Sequence, residues 1–186
     1  MSVNLAKHNL TVSEYERLGE TGMFAPEARL ELIEGEIIEM SPIGSRHAAC
    51  VERLSQHLHE IARRRFLVRT QNPIVLDDFS EPQPDISVLR FREDYYDKAH
   101  PRPQDVLLVI EVADSAVPFD RNVKLPLYAR AGIAEFLLFN LPGEQVEYFS
   151  RPGEGSYRNK QLLTRGDHFE SAVVAGLSLG IAAILG

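Results

Sequence analysis

The chain has 186 residues and a formal net charge of −7, and 44% of its residues are hydrophobic. This length and composition exclude a disordered or fibrous protein and fit one domain with a substantial core. The single cysteine, Cys50, excludes an intramolecular disulfide framework and a cysteine-rich zinc site, and the acidic balance argues at first against a nucleic-acid partner.

The two ends of the sequence indicate a cytoplasmic protein. No basic-then-apolar leader follows Met1, so a secretory signal is not expected. The small-apolar run at 172–186 is shorter than the ~20 residues of a membrane-spanning helix. We therefore expect one domain over residues 1–186, with its core from about residue 10, and no membrane partner.

The N-terminal forty residues predict a helix followed by a β-hairpin. Thr11 and Glu14 have the spacing of a capping box, so a short helix should begin there and end near Gly19. The segment 30–40 is apolar on both sides of Gly35, which is typical of two strands joined by a turn.

The next forty residues predict a long helix and two strands. Ser45 is expected to cap a helix that extends to Arg64, because apolar residues recur there at helical spacing. Strands are predicted at 66–70 and 74–76.

The rest of the chain predicts a mixed sheet. A strand opens at 82–89 with its prolines at the entrance, and a polar loop covers 91–104. The apolar run 106–113 contains one carboxylate and is typical of a strand buried on both faces. A helix follows at 120–131, with Pro126 as a point of strain. Strands at 135–140, 146–149 and 157–163, a short segment at 166–169 and an apolar tail at 172–185 complete the sequence. The order predicts an α/β fold, a mixed β-sheet flanked by helices, with an N-terminal helix and β-hairpin.

Three charged residues in these elements could carry chemistry. Asp85 stands at a strand entrance, Glu111 lies inside a buried strand and Lys124 lies on the next helix. A buried carboxylate needs a partner, and a hard cation such as Mg²⁺ is one. Each residue alone also has a structural alternative: a turn or cap residue, one half of a structural ion pair, and a surface lysine, respectively.

The order of these residues resembles the PD-(D/E)XK nuclease superfamily, with the lysine moved from the position of Ala113 to the following helix. The wider pattern resembles the Uma-type restriction endonuclease family, long described as a domain of unknown function. The matching segments are Glu31-Leu-Ile-Glu-Gly-Glu-Ile, Met40-Ser-Pro, His47, Gln83-Pro-Asp-Ile, Val109-Ile-Glu-Val, Asp120-Arg-Asn-Val-Lys and Tyr128-Ala-Arg-Ala-Gly-Ile-Ala-Glu-Phe. The sequence departs from the family at 113–115, which reads Ala-Asp-Ser in place of Ser-Pro-Ser, and at 136–137 and Asn140, which replace a tryptophan and an aspartate.

The resemblance implies a restriction-endonuclease-like fold and a Mg²⁺-dependent endonuclease that hydrolyses DNA phosphodiester bonds, with Mn²⁺ as an alternative ion. Asp85, Glu111 and the Val112 carbonyl would hold the metal. Lys124 would stabilise developing charge or orient the attacking water. Glu31 would bind a second metal or order the water, unless it only pairs with a surface base such as Arg29.

Substrate contacts are expected from the basic segment 46–69, which contains six arginines and two glutamates. His47 is a candidate for phosphate contact or acid catalysis, or alternatively has a structural role, and Arg46 and Arg53 are further candidates. A charge run is more often a solvated surface. Two other readings stay open: a catalytically inactive binding or assembly module on a nuclease fold, and a metal-dependent hydrolase of a smaller substrate. A homodimer would allow both strands of DNA to be cut.

Overall fold

A six-stranded mixed sheet forms the centre of the computed structural model, which describes residues 7–25 and 27–186. The strands lie in the order β3-β4-β5-β6-β7-β8, and every neighbouring pair is antiparallel except β5 and β6, which are parallel. The strands are β3 Phe66–Thr70, β4 Ile86–Arg90, β5 Val106–Ala113, β6 Glu135–Asn140, β7 Gln145–Pro152 and β8 Tyr157–Leu163. The predicted fold class is confirmed.

The N-terminal part consists of helix α1 (Val12–Glu20) and the antiparallel hairpin β1–β2 (Leu30–Ile33 and Glu36–Glu39). The predicted capping box is present, since Thr11 Oγ1 accepts a hydrogen bond from the Glu14 backbone and the Glu14 carboxylate accepts one from the Thr11 backbone. The hairpin adds a two-stranded sheet beside the central one, and its first strand faces the entrance to β4 through Gln83.

One face of the central sheet is covered by helix α2 (Ser45–Ala62) and the C-terminal helix α5 (Ile181–Leu185). Ser45 is the first residue of α2 and not its cap; Gly44 occupies the N-cap position and contributes no side-chain hydrogen bond. The short strands β9 (His168–Glu170) and β10 (Ser178–Gly180) form a separate antiparallel pair before α5. The apolar tail therefore serves the core of the protein, because Ile181 and Ile184 are buried in it.

The other face is covered by the connection between β5 and β6. It contains a short helix α3 (Val117–Phe119), a π-helical turn (Asp120–Lys124) and helix α4 (Leu125–Arg130). In the π-turn the Leu125 N–H donates to the carbonyl of Asp120, five residues earlier. Pro126 follows in the first turn of α4, where a missing N–H is tolerated. The helix therefore accommodates the proline by changing from a π-helical turn to a new α-helix just before it.

Strand β5 is buried on both faces, as its apolar run predicts. Its parallel neighbour β6 is reached through the helical connection, and its antiparallel neighbour β4 through the long loop 91–105, which contains a 3₁₀ turn at Pro103–Asp105. The loop therefore allows the strand that follows Asp85 and the strand that contains Glu111 to lie side by side.

The predicted strand at 74–76 is absent, and this prediction is wrong. The backbone N–H groups of Ile74, Val75 and Leu76 donate to carbonyls of Pro82, Pro101 and Ser80, respectively. Two of these acceptors lie in the segment 80–82 that follows directly, and the third lies in the loop 91–105. The three residues therefore join none of the sheets, although their side chains are buried.

Among the described residues, no helix has both the length and the apolar character needed to cross a membrane.

Candidate active site

The four residues predicted to be catalytic meet in one cleft of about 340 Å³. Asp85 immediately precedes β4, Glu111 lies in β5, Lys124 ends the π-turn and Glu31 lies in β1. All four are buried, with 1–7% of their surface exposed. The cleft is walled by the segment after β2 and by the segment between β5 and the π-turn, so it lies at the end of the central strands and opens between two loops.

Asp85 is held by donors from three parts of the chain. Its Oδ2 accepts a hydrogen bond from the Val112 N–H at 2.9 Å and lies 3.0 Å from His47 Nε2, and its Oδ1 accepts from Gln71 Nε2 at 3.1 Å. Burial alone would raise the pKa of Asp85, but the hydrogen bonds and the His47 charge outweigh it, so the pKa is lowered. Asp85 is therefore ionised at neutral pH. Its contacts with distant segments also show that it does not serve only as a turn or cap residue.

Glu111 is almost completely enclosed. Its Oε1 accepts hydrogen bonds from Lys124 Nζ at 3.1 Å and Tyr128 Oη at 2.7 Å, and its Oε2 accepts from the Asp85 N–H at 3.3 Å. Burial raises the pKa of Glu111, and the charges of Asp120, Asp85 and Glu31 add to that effect, while Lys124 opposes it. Glu111 thus has an ion-pair partner, and that partner is the predicted catalytic lysine.

Lys124 is buried and not a surface lysine, since only 1% of its surface is exposed. Its Nζ lies 3.0 Å from Glu31 Oε1 and 3.1 Å from Glu111 Oε1. Burial lowers the pKa of Lys124, but the two carboxylates more than compensate, so the pKa is raised and the ammonium persists. Lys124 therefore links the hairpin to the central sheet through a buried charge.

Glu31 does not pair with Arg29, whose guanidinium donates instead to the carbonyl of Ser41 at 2.9 Å. The Glu31 Oε1 accepts from Lys124 and from the Gln83 N–H at 3.0 Å, whereas its Oε2 is buried without a hydrogen-bond partner. A buried oxygen without a donor is costly. Glu31 thus brings one carboxylate oxygen without a hydrogen-bond donor to the cleft.

Two further residues belong to this cluster and were not predicted as site residues. Asp120 is buried in the cleft, and burial raises its pKa to about 6 against the lowering effect of Lys124. Tyr128 is fully buried, and its hydroxyl donates to Glu111. The spacing of Asp120 and Lys124, one helical turn apart, was the available signal for the first. Tyr128 looks like an ordinary apolar helix position, so only tertiary packing reveals its contact.

Replacing Tyr128 by Phe should weaken the site. The change removes one of the two side-chain donors to Glu111 Oε1, and a hydrogen bond to a charged group contributes about 1.5–3 kcal/mol. If Glu111 holds a metal, Mn²⁺ affinity should fall by about tenfold, since outer partners of metal ligands are worth roughly 10–100-fold. Calorimetric Mn²⁺ titration measures this.

Tyr148→Phe is the matched control, because Tyr148 donates to the carboxylate of Glu135 at 2.6 Å, away from the cleft. It should lower stability without changing Mn²⁺ affinity. Equal Mn²⁺ affinity for both variants would mean that Tyr128 does not position a metal ligand.

His47 is the only one of the three predicted substrate-binding residues that lines the cleft, among the residues the structure describes. Arg46 lies at the rim, where Nη1 is 3.4 Å from Asp114 Oδ1. Arg53 lies elsewhere: its guanidinium donates to the carbonyl of Ile184 in α5 at 3.0 Å. The structure therefore does not bring Arg53 to the site.

The basic segment 46–69 does not form a continuous basic surface around the cleft. The guanidinium groups of Arg65 and Arg69 donate to the backbone carbonyls of Ala175 and Tyr95, and Arg64 donates from Nη2 to both carboxylate oxygens of Glu93. These arginines hold surface segments together. They therefore fit a solvated, structural role better than a surface that binds substrate.

The residues present fit a divalent cation. Four buried carboxylates face one buried ammonium, an excess of negative charge that a cation would offset. The N–H of Val112 points at Asp85, and since the N–H and C=O of one strand residue point to the same side, the carbonyl of Val112 faces Asp85 as well. Two carboxylates and a carbonyl form the hard oxygen donor set that Mg²⁺ prefers.

These features, a mixed sheet with a buried carboxylate–lysine cluster at the ends of its central strands, are those of a nuclease-like α/β protein. The family model described as "Putative restriction endonuclease", Uma2, matches residues 12–182. The chain belongs to this Uma2 family.

One solved structure has the same fold. It is described as a putative nuclease belonging to DUF820 from Anabaena variabilis, and it superposes with a TM-score of 0.70 over 95% of this chain and 97% of that chain. The two sequences are 17% identical, so the likeness concerns the fold. The comparison with curated proteins finds no match.

Proposed function

We propose that this protein is a metal-dependent endonuclease that hydrolyses phosphodiester bonds of DNA, with Mg²⁺ or Mn²⁺ held by Asp85, Glu111 and the carbonyl of Val112. The observation that carries the proposal is the convergence of Asp85, Glu111 and Lys124 in one cleft, with Lys124 Nζ 3.1 Å from Glu111. Membership of the Uma2 family supports it, because that family is described in terms of nuclease activity.

The bound metal would supply Lewis acidity and lower the pKa of a water molecule that attacks the phosphorus. Asp85 remains ionised because of its hydrogen bonds and its contact with His47, so it can serve as a ligand at neutral pH. His47 positions that carboxylate and lines the cleft, where its ring can also contact a phosphate.

Lys124 is the group that would stabilise negative charge developing on the phosphate oxygens. Its ammonium is held by Glu31 and Glu111, so its position is fixed before substrate arrives. Glu31 serves as its anchor, and the unpartnered Oε2 of Glu31 could order the attacking water.

The acidic cleft and net charge of −7 predict weak DNA binding without metal. Affinity for a polyanion should also fall steeply with salt, which would not hold for a small substrate. Because one site cuts one strand, we propose that double-strand cleavage requires two copies of the chain, and sedimentation with DNA tests this.

Plasmid nicking tests the proposal. Purified protein should nick supercoiled DNA with Mg²⁺ or Mn²⁺ and lose this activity with EDTA. Asp85→Asn should abolish nicking, because an amide cannot replace a charged metal ligand. Asp97→Asn, a matched change at an exposed loop position, should leave the activity unchanged.

A second candidate is an inactive binding module on the same fold. It is favoured by one observation: Lys124 is already paired with two carboxylates and almost completely buried. A purely structural ion pair of this kind would bind no Mn²⁺. Absence of both nicking and calorimetric Mn²⁺ binding would therefore support the module and contradict the nuclease.

A further inference from the structure

A second group of metal-ligand side chains lies outside the cleft. Glu16 from α1, Glu81 from the segment before β4 and His100 from the long loop 91–105 each place one ligand atom within 4.8 Å of the others. It is the one such group of three among the residues 7–25 and 27–186, and it unites three segments that are distant in sequence.

Glu81 is the buried member of this cluster, and one of its carboxylate oxygens lacks a hydrogen-bond partner. The residue is 4% exposed, and its Oε2 is buried without a hydrogen-bond partner. Its Oε1 lies 3.7 Å from His100 Nε2, beyond hydrogen-bond distance. Burial and the charge of Glu16 raise the pKa of Glu81 to about 7. Glu16 and Glu81 therefore lie close together, and among the described residues neither forms a salt bridge with a lysine or an arginine.

His100 supplies a nitrogen ligand in a suitable state. Burial lowers the pKa of His100, and the charge of Arg69 lowers it further against the opposing charge of Glu16, which favours the uncharged ring that can bind a metal. Arg69 itself is held by the carbonyl of Tyr95 at 2.8 Å and lies over the ring of Tyr96. A neutral imidazole is a common ligand of transition metals, and a mixed nitrogen and oxygen set favours zinc over magnesium.

We propose that Glu16, Glu81 and His100 form a second, zinc-type divalent metal site that is separate from the catalytic cleft. The 3.7 Å between Glu81 Oε1 and His100 Nε2 is near the ~3.4 Å expected for two ligands at about 2.1 Å from a tetrahedral ion. Three protein ligands leave one position for water.

The metal would have a structural role, because its ligand Glu81 lies next to the backbone that supports the cleft. Glu81 is hydrogen-bonded through its backbone to Leu32, the residue after Glu31, with N–O distances of 2.7 and 3.4 Å. A metal there would join α1, the loop 91–105 and the segment before β4 that is hydrogen-bonded to the hairpin. It would thereby fix the backbone that carries Glu31 and Gln83 into the cleft.

Equilibrium dialysis of the full-length Glu111→Gln variant against Zn²⁺ tests the site without the proposed catalytic metal. One Zn²⁺ per chain should be retained. His100→Ala, Glu81→Gln or Glu16→Gln in the same background should each weaken binding by at least about tenfold, because loss of a ligand costs no less than loss of an outer partner. Substituted Co²⁺ should show visible absorption bands that disappear in His100→Ala.

His168→Ala, at an exposed histidine of β9, is the control and should bind Zn²⁺ like the parent. Thermal unfolding provides a second readout: Zn²⁺ should raise the Tm of the parent and the control but not of His100→Ala. Unchanged Zn²⁺ affinity after the His100 and Glu81 substitutions would overturn the proposal, as would a parent that binds no Zn²⁺. Since binding is measured without cleavage, failure of the nuclease proposal leaves this test intact.

Discussion

Lys124→Met is expected to lower the free energy of unfolding by about 3–5 kcal/mol, the usual cost of breaking a buried ion pair from one side. Lys124 is the ammonium that balances Glu31 and Glu111, and both carboxylates would remain buried without it. Methionine keeps most of the volume of the lysine chain, so the loss would report charge more than packing. Urea denaturation at neutral pH measures the change.

Two comparisons make this result specific. Adding Glu111→Gln to Lys124→Met should recover part of the loss, because it removes one of the charges left unpaired. Lys160→Met removes a half-exposed lysine that pairs with Glu147 at 2.6 Å, and Arg121 remains as a partner of that buried carboxylate. The change should therefore cost no more than about 1 kcal/mol. A loss for Lys124→Met as small as that for Lys160→Met would contradict the buried ion-pair account.

Glu111→Gln is expected to abolish Mn²⁺ binding in the cleft and plasmid nicking while leaving the fold intact. The amide can still accept the Tyr128 hydrogen bond, but it cannot supply a negatively charged metal ligand. The loss should reach at least about 100-fold, the upper range for a residue that only supports a ligand. Calorimetry and single-turnover nicking measure the two effects independently.

Glu135→Gln is the matched control for this prediction. Glu135 is also fully buried, in the neighbouring strand β6, and accepts hydrogen bonds from Tyr148, Ser171 and the Ala172 N–H. Its substitution should lower stability and leave Mn²⁺ binding unchanged. Nicking that persists in Glu111→Gln would identify a contaminating nuclease and remove the support for a catalytic role.

Most of the sheet was predictable because burial leaves a periodic record in the sequence. The run at 106–113 is apolar at nearly every position and does not alternate with polar residues. This pattern is typical of a strand covered on both faces, and β5 has those bounds. The segment 74–76 has a similar composition but is no strand, since its backbone donors find partners in the adjacent segment 80–82 and in the loop 91–105. Composition reports burial, whereas strand identity depends on partners that are distant in sequence.

The cleft was predictable in part and for a different reason. Asp85 and Glu111 stand out in sequence because a carboxylate in or beside an apolar strand needs compensation. Lys124 stands out as the lysine on the helix after the Glu111 strand, whereas Glu31 enters only through the family resemblance. No local rule relates this pair, because 93 residues separate them. Asp120 and Tyr128 are not predicted as site residues, because the π-turn changes the direction in which the side chains of this helical segment point.

The π-turn at Asp120–Lys124 restricts how this chain can tolerate insertions and deletions. Each residue added to or removed from a helix rotates the following side chains by about 100°. One residue gained or lost between Asp120 and Pro126 would therefore turn the Lys124 ammonium away from Glu31 and Glu111 and leave both carboxylates buried without it.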